Sequence, residues 1–233
     1  IMMICRANSN TIGKTLERLA TIAQQIFVGV DGGPKGKYIP GKTWDAAREY
    51  GAECFPIVSP LVQGFDAARN EVMAKLCTDW GLWIDDDEVL MFPERLCKYL
   101  LPSIYAGFAI PQHHYSAEPA GTIKTDNPCR LIRLDRGVRF FGIVHEHPET
   151  EVNKGVGRVC MANDVSIMHN GYETEATRRL RFQRNLPLLE ADIKKYPERV
   201  LQKHFIMRDK MLMVGYELRQ NGNRITPTIT QHC

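Results

Sequence analysis

Four short apolar runs, separated by segments of helical period, constrain this chain more than any other feature in it. "IMMICRAN", "IFVGVD", "AECFPIV" and "WGLWI" read as strands one to four. Between the first two, Ile12, Leu16, Leu19, Ala20 and Ala23 share one helical face, with Ser9, Asn10 or Thr11 available as a cap. "TWDAAREYG" reads as a short helix capped by Thr43 and stopped by Gly51. "FDAARNEVMAKLC" sets Phe65, Ala68, Val72 and Leu76 along one face of a third helix. Strands that are apolar throughout are buried on both faces. Their alternation with helices therefore predicts an α/β fold, with a mostly parallel central sheet and helices on both faces. Ligands of such sheets bind beyond the carboxyl ends of the strands, where Asn8, Asp31 and the acids of "WGLWIDDDEVL" fall.

The second half changes character. "GFAIPQHHY", "CRLIRLD", "VRFFGIVHE" and "DVSIMHNGY" read as short strands in a smaller antiparallel half, with "LDRGVRF" a hairpin turning at Gly137. From Thr174 the pattern is helical, and Pro187 either kinks that helix or starts a second one. A further helical stretch over 198–220 precedes a polar tail.

Length and composition exclude several classes. The 233 residues suffice for one large domain or two small ones, and 44% hydrophobic with 24% charged residues is neither disordered nor fibrous. A net charge of +3 suits phosphate-bearing ligands but is too small to demand nucleic acid. Seven scattered cysteines without a C-x-x-C pattern point to reduced thiols in a cytoplasmic protein, with Cys5, Cys54 and Cys77 inside apolar runs and so buried. No apolar run is long enough for a membrane span, and no signal-peptide pattern opens the chain. Ile1 leads straight into strand-like sequence, as in a segment of a longer chain.

The run Asp85, Asp86, Asp87, Glu88 raises the chemical question. Two carboxylates about 4 Å apart repel by about 1 kcal/mol in water and about 4 kcal/mol at a protein surface. Such a cluster either splays into solvent or surrounds a cation. Asp85 and Asp87 form D-x-D, and residues two apart on a strand point to one side, an arrangement suited to a hard divalent cation. In "GFDAARN", Asp66, Arg69 and Asn70 occupy the first turns of a helix, where an arginine and backbone amides hold phosphate. An exposed Asp66–Arg69 pair is the plain alternative. His169 ends a strand ahead of a glycine turn and is suited to complete a metal shell begun by carboxylates. In "FFGIVHEHP", strand alternation puts Glu146 on one side and His145 and His147 on the other, and Glu146 is a candidate general base. Arg178, Arg179, Arg181 and Arg184 form a solvated helix face with some reach toward a diphosphate.

Taken in order, "ICRAN", "VGVDGG", "FDAARN", "WGLWIDDDEVL", "RLIRLDRGVRFFGIVHE", "HNGY" and "RRLRFQRNLPLLEADIKKYP" resemble the family-2 glycosyltransferases of the GT-A fold, in their bacterial and phage branch. The resemblance runs to about residue 197. It implies a catalytic domain over 1–197, made of a nucleotide-binding half (1–92), an acceptor-side half (93–173) and a closing helix (174–197), then a helical extension over 198–233. It implies a nucleotide-sugar donor held by Asn8, Asp31, Asp66, Arg69 and Asp85. Mn2+ or Mg2+ would sit on Asp87 and His169, with Glu146 as catalytic base and diphosphate or acceptor contacts from Arg178 and Arg181. The implied reaction is inverting single displacement by an acceptor hydroxyl of a protein, a glycan, a lipid-linked sugar or modified DNA. The chain departs from the family at Asp86, where alanine is usual, and at "DGGPKGK", which lacks a second acid. A nucleotidyltransferase is the alternative enzyme, although "CRANSNTIGK" lacks its Gly-rich phosphate loop; a non-catalytic sugar-nucleotide or partner-binding domain on the same scaffold is the alternative of another class.

Overall fold

The computed structural model describes residues 1–101, 104–117, 120–150, 157–169 and 174–220, with side chains at 120, 122, 123 and 216–220 left aside. The polar tail and the glycine turn expected after His169 lie outside these residues. Two compact units form, Ile1–Thr174 and Glu175–Cys233, so the helix expected to close the first domain groups with the C-terminal residues.

The first unit opens with β1 (Met2–Cys5), α1 (Ile12–Leu19), β2 (Phe27–Asp31), α2 (Lys42–Glu49) and β3 (Glu53–Ile57). It continues through the short α3 (Pro60–Gln63), α4 (Phe65–Met73), β4 (Trp80–Leu82) and β5 (Glu88–Met91). Strands β1, β2 and β3 form the expected parallel sheet, with Met3 beside Val28 and Val28 beside Cys54. Strand alternation sorts β1 between two cores. Met3 and Cys5 pack with Leu16 and Leu19 of α1, whereas Met2 and Ile4 pack with Ala68 and Val72 of α4. Leu16 and Leu19 are fully buried, and each such side chain stabilises the fold by about 1.5–3 kcal/mol. Gly29 lets α4 approach β2, since a Cβ there would stand 2.6 Å from Val72 Cγ2.

The caps differ from expectation in detail. Ser9 Oγ accepts the N–H groups of Thr11 and Ile12 and so covers the start of α1. Thr43 does not cap α2; it is the buried second residue of the helix, donating to the Arg6 carbonyl and accepting the Ser9 N–H, and thereby ties down the first loop. Cys77 is exposed, not buried, because α4 ends before it; Cys5 is buried and Cys54 half-buried.

The fourth strand departs from the parallel arrangement. One parallel bridge, Met2 with Trp83, joins its end to β1, but β4 itself pairs antiparallel with a later strand. The remaining strands of this unit are β6 (Gly107–Ala109), β7 (Gln112–Ala117), β8 (Ala120–Asp126), β9 (Cys129–Arg133), β10 (Val138–Phe141), β11 (His147–Thr150), β12 (Val159–Met161) and β13 (Ser166–His169). "GFAIPQHHY" is two strands, not one. Pro111 cannot donate to a ladder, and on either side of it β6 joins the sheet β12-β6-β9-β4 while β7 joins β5-β13-β7-β8. "LDRGVRF" is not a hairpin, although Gly137 does turn the chain at φ 64°: β9 pairs with β4 and β6, and β10 pairs with β11.

The second unit holds α5 (Glu175–Lys195), which accommodates Pro187 within one continuous helix, and α6 (Val200–Gln220). No described helix is long and apolar enough to cross a membrane.

Candidate active site

The acids of "DDDE" do not continue a strand. Strand β4 gives way after the Trp83 bridge, residues 85–87 form a turn, and β5 begins at Glu88. Alternation therefore does not govern Asp85 and Asp87, and the two carboxylates take different partners. Asp85 turns to Arg69, whose Nη2 lies 2.7 Å from its Oδ1. Asp87 turns to His169, with Oδ2 lying 3.3 Å from Nε2. The Asp86 carbonyl accepts the Thr15 hydroxyl, and Asp86 is among the residues that line a cleft.

Glu88 holds this turn in shape. It is fully buried; one carboxylate oxygen accepts the Asp85 N–H at 2.8 Å, and the other accepts Arg130 Nη2 at 2.6 Å together with the Gln112 amide. Burial pushes the Glu88 carboxyl upward against the opposing pull of Arg130. Asp85 also feels burial, but there the Arg69 and Arg130 guanidiniums win and hold it well below the usual carboxylate range.

Arg69 is the hub on the other side. It is 5% exposed and reaches Asp85 with one nitrogen and Glu146 with another, Nε lying 2.5 Å from Oε1. Its guanidinium stands 4.5 Å from the Trp83 ring centre, and that of Arg130 stands 3.7 Å from the same ring. One indole thus supports both cations that pair with the acid turn, a cation–π arrangement strengthened by desolvation. The solvent-exposed Asp66–Arg69 pair is not seen: both residues are buried, and Asp66 accepts the Ala67 N–H at the start of α4.

Glu146 reaches Arg69 from an irregular stretch between β10 and β11. His145 has φ 53°, a conformation uncommon outside glycine, so strand alternation does not apply to His145, Glu146 and His147. Helix α4 anchors this stretch. Asn70 exchanges two hydrogen bonds with the Phe140 backbone, each 2.9 Å, and the Phe65 N–H donates to the Ile143 carbonyl.

The cleft, of about 630 Å3, lies at the carboxyl ends of β1 and β2 and beside the acid turn. Arg6, Asn8, Asn10, Asp31, Asp86 and Asp87 are among its lining residues. Asp31 is held rigidly, since its two oxygens accept the Gly33 N–H and the Ser59 hydroxyl, each at 2.9 Å. Asn8 accepts the Lys42 N–H. Asp66, Arg69, Asp85, Glu146 and His169 do not line this cleft; Arg178 and Arg181 stand on α5 in the second unit, half-buried. Trp83, Gln112, His114 and Arg130 were not expected here. Arg130 carried one signal, as a lone charge early in the otherwise apolar "CRLI" strand.

With this geometry in hand, relatives become informative. No family model matches the chain. Over 152 residues it is 26% identical to the SPbeta prophage-derived glycosyltransferase SunS of Bacillus subtilis (strain 168). The same figures hold for glycosyltransferase SunS of Bacillus phage SPbeta. The curated relatives it matches are glycosyltransferases. These matches cover 64% of this chain and 35% of each relative, so the chain spans about a third of their length. Among solved structures, S. aureus TarS 1-349 is 10% identical with a TM-score of 0.49, over 98% of this chain and 74% of that one. Mannosyl-3-phosphoglycerate synthase from Rubrobacter xylanophilus is 13% identical with a TM-score of 0.44, over 99% and 77%. Likeness of this degree assigns no residue a role.

Proposed function

We propose that the chain carries the donor-binding and catalytic core of a glycosyltransferase that moves a sugar from a nucleotide diphosphate to an acceptor hydroxyl. The observation that carries this reading is the acid turn between β4 and β5. It presents Asp86 and Asp87 to a cleft at the carboxyl ends of parallel strands, with His169 on Asp87. The similarity to glycosyltransferases supports it.

The residues fit a divalent cation shared with substrate. Asp87 and His169 offer an oxygen and a nitrogen within 3.3 Å of each other. Among the described residues no group of three or more His, Cys, Asp or Glu side chains is arranged to hold a metal alone. Mg2+ commonly takes one or two protein ligands and fills the remainder with water and substrate phosphates. Mn2+ or Mg2+ on Asp87 and His169 would, when bound, supply Lewis-acid stabilisation of charge on the departing diphosphate.

The chain's own groups do the remaining work. Asn8 and Asp31 hold the base and ribose at the cleft; Asp85 near the ribose, and Asp66 and Arg69 on the donor side, keep their assignment on the sequence resemblance alone. Arg69 spans Asp85 and Glu146 and sets their separation. Glu146 takes the acceptor hydroxyl proton as that oxygen bonds to the anomeric carbon; the bond to the diphosphate breaks on the opposite side, with inversion. Arg178 and Arg181 keep their assignment to diphosphate or acceptor phosphate on the sequence resemblance alone, and a cytoplasmic setting belongs to the same reading.

Calorimetric titration of UDP, GDP, CDP and dTDP, with and without Mn2+, into wild type and Asp87→Ala tests this directly. The expected result is metal-dependent binding of one diphosphate, lost in Asp87→Ala. Absence of binding to folded wild type under either condition would overturn the reading.

A further inference from the structure

The sheet β5-β13-β7-β8 sets Glu88, His169, His114 and Lys124 in one row, each the register partner of the next. His114 has no place in the chemistry proposed above, yet it is buried, 6% exposed, against the histidine assigned to the cation. Its Nδ1 lies 2.8 Å from Nδ1 of His169, and its Nε2 lies 3.2 Å from Asp126 Oδ2. With the 3.3 Å approach of His169 Nε2 to Asp87, four side chains form a line from Asp126 through His114 and His169 to Asp87.

Hydrogen counting along this line is restrictive. Ionised carboxylates only accept, and a neutral imidazole carries one N–H. The three contacts along the line call for a hydrogen each, and two neutral rings supply two of them. At Asp126 a cation is already in place, since Lys124 Nζ lies 2.7 Å from it. At Asp87 the neighbouring carboxylates Asp85 and Asp86 favour an additional positive charge. Gln112 Nε2, 3.4 Å from His169 Nδ1, stands at the limit of hydrogen-bond range and donates to Glu88.

We propose that His114 is a positioning residue for His169. Anchored through its Nε2–H on Asp126, it accepts the Nδ1–H of His169, so that His169 turns Nε2 toward Asp87 and the acid turn. The consequence for cation binding rests on the reading of Asp87 and His169 as ligands. A ligating histidine whose other N–H has a fixed acceptor binds metal better, and losing that acceptor commonly costs 10–100-fold in affinity.

Nitrogen-resolved NMR of the histidine side chains tests the tautomers in the metal-free chain, at about pH 8.5, above the usual histidine range near about 6.5. The expected pattern is hydrogen on His169 Nδ1 and on His114 Nε2, with His114 Nδ1 bare. Hydrogen on His114 Nδ1 would overturn the proposal. Electron paramagnetic resonance titration with Mn2+ alone adds the functional readout. His114→Leu is expected to weaken Mn2+ binding by about tenfold or more. His114→Asn, whose side-chain oxygen replaces Nδ1 as acceptor, is expected to restore most of it, which a general loss of folding would not allow. Wild-type affinity in His114→Leu would also overturn the proposal. Were wild type itself to bind no Mn2+, the cation reading would fall, and the tautomer pattern would decide the hold of His114 on His169.

Discussion

Arg69 shows how much one side chain decides here. Its single guanidinium pairs with both Asp85 and Glu146 while resting on Trp83, and the Arg69 and Glu146 side chains are 6% and 9% exposed. Arg69→Met removes the charge and leaves two carboxylates behind. Breaking a buried pair in this way costs about 3–5 kcal/mol, and the shift of the urea midpoint at neutral pH is expected to show it. The pH dependence has a definite sign. The folded Asp85 carboxyl is depressed, so its stabilisation is present above the unfolded value and is lost as pH falls toward the folded one. The gap between wild type and Arg69→Met is therefore expected to narrow from about pH 5 toward about pH 2. A gap that stayed constant would show that Arg69 acts by packing on Trp83 and not by charge.

Between elements, the pair Glu88–Arg130 ties the acid turn and β5 to β9. Both side chains are almost wholly buried, 0% and 3% exposed, and Gln112 on β7 completes the junction. Arg130→Met would strand a buried carboxylate, at a cost of about 3–5 kcal/mol. Adding Glu88→Gln in that background is expected to recover part of the loss, because no buried charge then lacks compensation. Chemical denaturation of Arg130→Met, Glu88→Gln and the double variant checks this, and an additive double mutant would contradict the coupling. Strands fix the site in a second way. The β13–β7 register, and not any local motif, sets His169 against His114.

For the molecule as a whole, two compact units predict unfolding that is not a single step. Trp44, Trp80 and Trp83 all lie in the first unit, so tryptophan fluorescence reports that unit alone. Far-ultraviolet circular dichroism weights α5 and α6, each of 21 residues. The two signals are expected to follow different denaturant transitions, and coincident curves would show that the units unfold together.

The amino-acid sequence by itself determined the strand–helix alternation of the first half and the placing of Asn8, Asp31 and the acids at strand ends. Those signals are periodic and local, and burial of the apolar faces enforces them. It also singled out Asp85, Asp87, Glu146 and His169, because clustered ionisable residues at strand ends stand out against an apolar pattern. Only the tertiary structure decided what they meet. Arg69 finds Asp85 and Glu146 across 16 and 77 residues of chain, and His114 finds His169 across 55. Such partners are chosen by sheet register and by the turn after Trp83, neither of which leaves a period in the sequence. The reading of Asp85 and Asp87 as a matched pair assumed that the strand continued. The close of that strand at Trp83 sent one acid to an arginine and the other to a histidine.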